Sequence, residues 1–110
     1  MCSSDLHFDF DSSSIGGDAS STLKAIANCF SSGPGKGKSI RIVGHADPRG
    51  ETEYNFALGQ QRASSVAQYL TRSGMPEGRI ATSSRGELEA SGSTPSGWAK
   101  DRKVEIFLAD

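Results

Sequence analysis

The sequence predicts an α+β domain, an α/β sandwich in which helices cover one sheet. Alternating apolar and polar residues near both ends of the chain indicate strands, and two segments between them carry apolar residues at helical spacing. With two further strand-like segments, the predicted order is β-α-β-α-β-β. The length of 110 residues suits a single domain over residues 1–110, with its core at about 5–109.

Serines and glycines separate the first predicted strand from the first predicted helix. Leu6, Phe8 and Phe10 alternate with polar residues, and residues 12–17 break the pattern. After the capping candidate Asp18, apolar residues share one helical face: Ala19, Leu23, Ile26, Ala27 and Phe30. Residues 31–38, rich in Gly, Pro and Lys, end this helix.

The second strand delivers a polar loop to the start of the second helix. Residues 40–43 form a short β-branched run that ends at Gly44, and a loop with His45, Asp47 and Arg49 follows. Residues 52–73 then carry an apolar helical stripe, closed by Gly74 and Pro76. The members of the stripe are Leu58, Ala63, Val66, Ala67 and Leu70.

The remaining sequence predicts two strands with a polar loop between them. Residues 79–85 form the third strand, and residues 86–97 form the loop. In the last strand, Val104, Ile106 and Leu108 alternate with the residues between them.

The charge balance and hydropathy exclude several classes of protein. Twelve Lys plus Arg against 13 Asp plus Glu give a net charge of -1, which does not favour nucleic acid as a partner. No apolar run approaches the roughly 18 residues of a membrane-spanning helix, and no signal segment opens the chain. We therefore expect a domain without a transmembrane segment and, because no extra apolar stripe is visible, a monomer.

The residues that carry chemistry in common enzymes lack the necessary spacing. Gly37-Lys38-Ser39 resembles the end of a phosphate loop, but Ser32 stands where its first glycine is required. There is no Gly-x-Ser-x-Gly turn, and neither His7 nor His45 has a second His or Cys at metal-ligand spacing. We expect no cofactor, no metal and no enzymatic activity, with each imidazole hydrogen-bonded within the fold.

Cys2 and Cys29 are predicted to form a disulfide. The first strand runs forward and the first helix returns over it, which brings both cysteines to one edge. The alternative is that Cys29 packs as a small apolar residue while Cys2 is free. A cysteine so close to the N-terminus could also be a lipid attachment site, and the sequence leaves this open.

Arg62 is the residue of the second helix that fits its surroundings least. It lies four residues after Leu58 and four before Val66, so that it projects from the edge of the buried stripe. One interpretation is a fixed interaction with Asp47 or with the loop backbone. The other is a clamp for a zwitterion, with Asp47 at the end of a strand and Arg62 on the next helix binding opposite charges.

Several segments resemble the OmpA-like (OmpA/MotB) family of peptidoglycan-binding domains over nearly the whole chain. They are Phe8-Asp9-Phe10-Asp11-Ser12, Gly44-His45-Ala46-Asp47-Pro48-Arg49-Gly50, Glu53-Tyr54-Asn55, Leu58-Gly59, Arg62-Ala63 with Val66 and Tyr69-Leu70, Ser84-Arg85-Gly86-Glu87, and residues 98–104. The resemblance implies a mixed four-stranded sheet with helices packed on it. It also implies a groove for the meso-diaminopimelate of a peptidoglycan stem peptide.

The resemblance also implies roles for individual residues of this sequence in binding the ligand. Asp47 would bind the ammonium of diaminopimelate and Arg62 its carboxylate. Phe10 and Asp11 would border the pocket. The residues expected to line or support it are Arg49, Leu58 and Asn55.

The resemblance further implies a periplasmic, outer-membrane-associated protein that anchors the envelope to the cell wall. A Tol-type periplasmic protein is a second implied partner, and an envelope interaction module with a vestigial wall site is the alternative function. The sequence departs from the family at Glu51, usually threonine, at Arg85, usually tyrosine, and at Asp101, usually asparagine. The charge of Glu51 would repel a peptide carboxylate and bears on which stem is preferred.

Overall fold

The computed structural model describes residues 4–8, 12, 15–31, 39–49, 51–75, 77–86, 88, 90 and 92–108. The elements in chain order are β1 (Ser4–His7), α1 (Gly17–Ser31), β2 (Ile40–His45), α2 (Thr52–Arg72), a 3-10 turn (Glu77–Arg79), β3 (Ile80–Gly86), α3 (Pro95–Asp101) and β4 (Lys103–Leu108).

The strands form one mixed four-stranded sheet in the order β1-β4-β2-β3. β4 pairs antiparallel with both β1 and β2, while β2 and β3 are parallel and are connected through α2. The last strand therefore lies inside the sheet. This architecture confirms the predicted α+β fold.

Helices α1 and α2 pack on the same face of the sheet, and the predicted apolar stripes form the core between them. From α1 the core includes Leu23, Ile26 and Phe30, and from α2 it includes Ala63, Val66 and Leu70. The sheet contributes Leu6, Ile40, Ile42, Val104 and Ile106. The opposite face of the sheet carries the alternate residues of each strand, including Arg41, Glu105 and Phe107.

A third helix, α3, lies where the sequence predicted the end of a polar loop. Thr94 caps it by accepting a hydrogen bond from the Gly97 backbone N–H, and Pro95 occupies its first turn. The predicted loop over residues 86–97 was wrong at its end, because the Thr94 cap and Pro95 start a helix there although Gly97 is a poor helix former. A Cβ on Gly97 would lie 2.8 Å from the Cα of Gly92, so the close contact of loop and helix requires glycine there.

The other element boundaries differ from the predictions by a few residues. Among the described residues β1 covers Ser4–His7, and Phe8 follows it as a buried residue. α1 begins at Gly17, so Asp18 lies inside the helix and is not its cap. Phe10 itself lies outside the described residues.

Two glycines determine how closely α2 approaches the sheet. A Cβ on Gly44 in β2 would lie 1.7 Å from the carbonyl oxygen of Gly59 in α2. A Cβ on Gly59 would in turn lie 2.4 Å from the Ser84 hydroxyl on β3. Backbone therefore packs directly on backbone at this crossing. The crossing lies directly before His45 on the strand and three residues before Arg62 on the helix.

Candidate functional site

The loop after β2 holds a carboxylate in a nearly buried position. The backbone N–H of Ala46 donates to the carbonyl of Gly86 (2.8 Å), which extends the contact with β3 past the end of β2. Asp47 follows, and only 4% of it is exposed. A buried carboxylate requires hydrogen-bond donors, and the surrounding chain supplies them.

Asp47 accepts four hydrogen bonds from two arginines. Its Oδ1 accepts from the backbone N–H (3.0 Å) and Nε (3.1 Å) of Arg49, and its Oδ2 from an Nη of Arg49 (2.9 Å). Arg102, directly before β4, donates a longer bond to Oδ2 (3.3 Å). Burial alone would raise the pKa of Asp47, but the hydrogen bonds from Arg49 and Arg102 lower it below its ordinary value of 3.8. Asp47 is therefore a fixed negative charge at neutral pH.

Arg49 contacts three other residues of the site: Asp47, Trp98 and Asn55. Besides its bonds to Asp47, its Cζ lies 4.2 Å from the ring centre of Trp98 on α3, a cation-π contact. Its backbone carbonyl accepts from the side-chain amide of Asn55 (2.8 Å). Its side chain is still 35% exposed, which makes Arg49 the most accessible of the partners of Asp47.

Two residues of α2, Asn55 and Leu58, were expected to support this loop. Asn55 is buried, and its amide fixes the Arg49 carbonyl rather than capping the helix, whose cap residue is Glu51. Leu58, one turn later on the same helix, is 7% exposed. Of these two residues, Asn55 contacts the Asp47 loop, and the role of Leu58 in lining the site stays a prediction.

Arg62 is fully buried and contacts the backbone of two distant segments. Its Nε donates to the carbonyl of Ser12 (2.8 Å) and an Nη donates to the carbonyl of His45 (2.9 Å). Its Cζ also lies 5.5 Å from the ring centre of Phe8. The sequence left open whether Arg62 interacts with Asp47 or with the loop backbone. In the described residues it contacts the backbone, while Asp47 is paired with Arg49 and Arg102.

Three of the expected site residues cannot be placed. Phe10, Asp11 and Cys2 lie outside the described residues. Cys29 is disulfide-bonded. Its pairing with Cys2, the other of the two cysteines in the sequence, stays a prediction.

Sequence reasoning missed Arg102, Trp98 and Glu105. Arg102 bonds Asp47 and also donates to the carbonyl of Phe8 (2.8 Å), while Glu105 bonds the imidazole of His45 (2.6 Å). The match of residues 98–104 to the closing segment of the family was the signal that could have indicated Trp98 and Arg102. No group of three or more potential metal ligands occurs among the described residues.

The sequence from residue 7 to residue 104 matches the OmpA family. The chain belongs to the OmpA family. It is 41% identical over 105 residues to the peptidoglycan-associated lipoprotein of Rhizobium meliloti (strain 1021), covering 94% of this chain and 58% of that protein. This OmpA-family chain thus spans less than two thirds of the length of that relative.

Solved structures support the same assignment. The crystal structure of the peptidoglycan-associated lipoprotein from Burkholderia pseudomallei superposes with a TM-score of 0.87 at 33% identity, covering 94% of this chain and 88% of that one. The C-terminal domain of Helicobacter pylori MotB gives a TM-score of 0.86 at 23% identity, covering 97% of this chain and 84% of that one, which shows the shared fold. In the described part of this OmpA-family chain, no helix has the length and apolar character to cross a bilayer.

Proposed function

We propose that this domain binds peptidoglycan non-covalently through the meso-diaminopimelate of a stem peptide and so anchors an envelope protein to the cell wall. The observation that carries the proposal is a buried carboxylate, Asp47, and a buried guanidinium, Arg62, set around one loop of an OmpA-family fold. The names of the relatives, peptidoglycan-associated lipoproteins, support the same ligand class.

The chemistry of diaminopimelate matches these two charges. The end of its side chain is an α-amino acid group, which places an ammonium and a carboxylate on one carbon atom. Asp47 binds the ammonium and Arg62 binds the carboxylate, because a guanidinium offers paired N–H donors and a carboxylate only accepts. Phe10 and Asp11 border this pocket in the proposal, and Leu58 and Asn55 support it.

Arg49 is the group that makes room for the ligand. All four hydrogen bonds of Asp47 are already made, three of them by Arg49. An incoming ammonium must therefore replace at least one N–H donor, and the partly exposed side chain of Arg49 is the donor that can move into solvent. Its positive charge then lies beside the ligand, where it complements a carboxylate of the stem peptide.

The proposed setting is the periplasm, in a monomeric domain associated with the outer membrane in the full-length protein. A Tol-type periplasmic protein is a second proposed partner. The domain acts as a binding module and performs no reaction on the wall. Incubation with purified peptidoglycan tests this, since a binding module sediments with the wall and releases no soluble fragments.

Titration calorimetry with a stem tripeptide that ends in meso-diaminopimelate tests the site. Asp47→Ala and Arg62→Ala should each weaken binding by about 30-fold to several-thousand-fold, since truncating one partner of a buried charge pair commonly costs 2 to 5 kcal/mol. Arg62→Lys should fail as well, because a point-like ammonium cannot reproduce the paired contact. A tripeptide with lysine in place of diaminopimelate keeps the ammonium, lacks the carboxylate, and should bind the wild-type domain weakly.

Arg72→Ala is the matched control, because Arg72 is an exposed arginine in the last turn of the same helix. It should leave binding unchanged. Thermal melts on the same samples separate loss of the ligand contact from loss of the fold. If folded Asp47 and Arg62 variants bind the tripeptide as the wild type does, the assignment of the site is wrong.

A further inference from the structure

His45 links the proposed binding site to the opposite face of the sheet. It is the last residue of β2 and is only 2% exposed. Its backbone carbonyl accepts the hydrogen bond from Arg62, and its imidazole Nε2 lies 2.6 Å from Oε1 of Glu105 on β4. One residue therefore contacts the site through its backbone and β4 through its side chain.

The regular pairing of β2 ends just before His45. The β2–β4 ladder stops at the pair Gly44 and Val104, and the β2–β3 register shifts between Gly44 and His45. Outside the regular ladder, the peptide that carries the His45 carbonyl keeps one backbone bond to β3, from the Ala46 N–H to the Gly86 carbonyl (2.8 Å). A hydrogen bond from the His45 side chain can therefore affect how its carbonyl is oriented. That orientation decides whether the carbonyl can accept from Arg62.

Glu105 on the neighbouring strand β4 is the partner of this hydrogen bond. It is paired with Val43, so His45 is its diagonal neighbour on the sheet face that points away from α2. Because an ionised carboxylate only accepts, Nε2 of His45 must donate in this contact. Glu105 itself is 31% exposed and lies on the other side of the sheet from Arg62. In the part of the chain that the structure describes, its side chain bonds His45 and neither Asp47 nor Arg62.

We propose that Glu105, acting through His45, is a positioning residue that sets the affinity of the site for the ligand carboxylate. The inference rests on the proposed function, since that function assigns the carboxylate to Arg62. Glu105 holds the imidazole, the imidazole fixes the end of β2, and the His45 carbonyl then orients the guanidinium. Glu105 on β4 thus affects the affinity of Arg62 for the ligand carboxylate indirectly, through His45.

The alternative is that the pair only stabilises the fold. Both ideas predict a lower melting temperature for Glu105→Ala, so stability alone does not distinguish them. Phe107→Ala provides the matched control, because Phe107 lies two residues further along β4 on the same face. Its ring centre is 6.0 Å from the Cζ of Arg41. It removes packing from the same surface without touching His45.

Two measurements test the inference, and the first needs no ligand. The side-chain ¹⁵N–¹H signals of Arg62 report its hydrogen bonds directly. They should shift and exchange faster with solvent in Glu105→Ala, and stay at the wild-type positions in Phe107→Ala. Glu105→Gln keeps an oxygen acceptor for Nε2 and should restore the wild-type signals. Should Glu105→Ala not fold, Glu105→Thr keeps strand propensity and also removes the contact.

The second measurement is calorimetry with the diaminopimelate tripeptide. Glu105→Ala should bind about ten-fold more weakly, while Glu105→Gln and Phe107→Ala should change affinity by less than about two-fold. Unchanged Arg62 signals and unchanged affinity in folded Glu105→Ala would overturn the inference. If the wild-type domain does not bind the tripeptide at all, the proposed function fails, and the Arg62 signals still decide whether Glu105 positions this arginine.

Discussion

The guanidinium of Arg49 lies over Trp98, with its Cζ 4.2 Å from the ring centre. The same guanidinium is bonded to Asp47, so α3 and the loop after β2 meet through one arginine. Trp98 is the single tryptophan in the sequence. Its fluorescence therefore reports the position of Arg49 without any label.

Arg49→Ala should shift the tryptophan emission spectrum, because it removes a cation from the face of the indole ring. Emission spectra of the folded variant and the wild type measure this. Arg41→Ala is the control, since Arg41 contacts Phe107 and not Trp98, and it should leave the spectrum unchanged. Identical spectra for Arg49→Ala and the wild type would show that the stacking contact is not populated in solution.

Addition of the diaminopimelate tripeptide should also change the emission of Trp98 in the wild-type domain. The reason is that the proposed binding of an ammonium to Asp47 moves Arg49 away from its resting contacts. A fluorescence titration measures the change and should give the same dissociation constant as calorimetry. A binding event that calorimetry detects and fluorescence does not would mean that Arg49 keeps its place when the ligand binds.

Gly44→Ala should destabilise the domain by about 3 kcal/mol or more, since overpacked positions commonly cost 1 to 3 kcal/mol and here the added Cβ meets backbone. The obstructing atom is the carbonyl oxygen of Gly59, 1.7 Å from the position of the Cβ. Urea denaturation measures the free energy of unfolding. Gly16→Ala, where nothing lies within 4 Å of the added Cβ, is the control and should change stability little. Equal stabilities of the two variants would refute the close approach of β2 and α2.

Asp47→Asn should lower stability more at pH 7 than in acid. The pKa of Asp47 is lowered in the folded state, so the charged carboxylate stabilises the fold above the unfolded-state pKa of about 3.9. That contribution disappears as the pH falls through the lower folded pKa. We expect a loss of about 2 kcal/mol at neutral pH, as for other hydrogen bonds to charged groups.

Thermal melts of both proteins at pH 7 and at about pH 2.5 test this dependence. The difference between wild type and Asp47→Asn should shrink at the lower pH. Asp5→Asn, which changes an exposed carboxyl on β1, should have little effect at pH 7. A constant difference across the pH range would show that the charge of Asp47 does not contribute to stability.

Reduction of the predicted Cys2–Cys29 disulfide should destabilise the domain by about 3 to 4 kcal/mol, because the bond restricts the unfolded chain across a loop of this length. The bonded state of Cys29 supports the pairing. Thiol counting on the denatured, unreduced protein measures it directly. Two reactive thiols per chain would exclude the bond in the purified protein.

The parts of the fold that depend on local pattern could be predicted from the sequence, whereas the parts that depend on long-range contacts could not. The stripe of α2 and the turn residues around Asp47 identified the helix and its loop, because spacing and turn chemistry act over a few residues. Arg102 and Glu105 were missed since their partners, Asp47 and His45, are 55 and 60 residues away along the chain. No local signal encodes such a pairing.

The burial of Arg62 illustrates the same limit. Its position at the edge of an apolar stripe indicated a residue with an unusual role, and the sequence offered the loop backbone as one partner. That the backbone carbonyls of Ser12 and His45 would both accept from it depends on how β2 and α2 cross at Gly44 and Gly59. Close backbone packing of this kind follows from the assembled sheet and helix, and cannot be deduced from the spacing of Arg62.

The position of β4 between β1 and β2 has a consequence for the timing of assembly during synthesis. Arg102 and Glu105, which hold Asp47 and His45, are the last of the site's residues to leave the ribosome. A nascent domain that lacks residues 102–108 has no central strand, so β1 and β2 have no common neighbour. Because contacts so distant in sequence form late in folding, Asp47 and His45 gain these partners only when β4 inserts between β1 and β2.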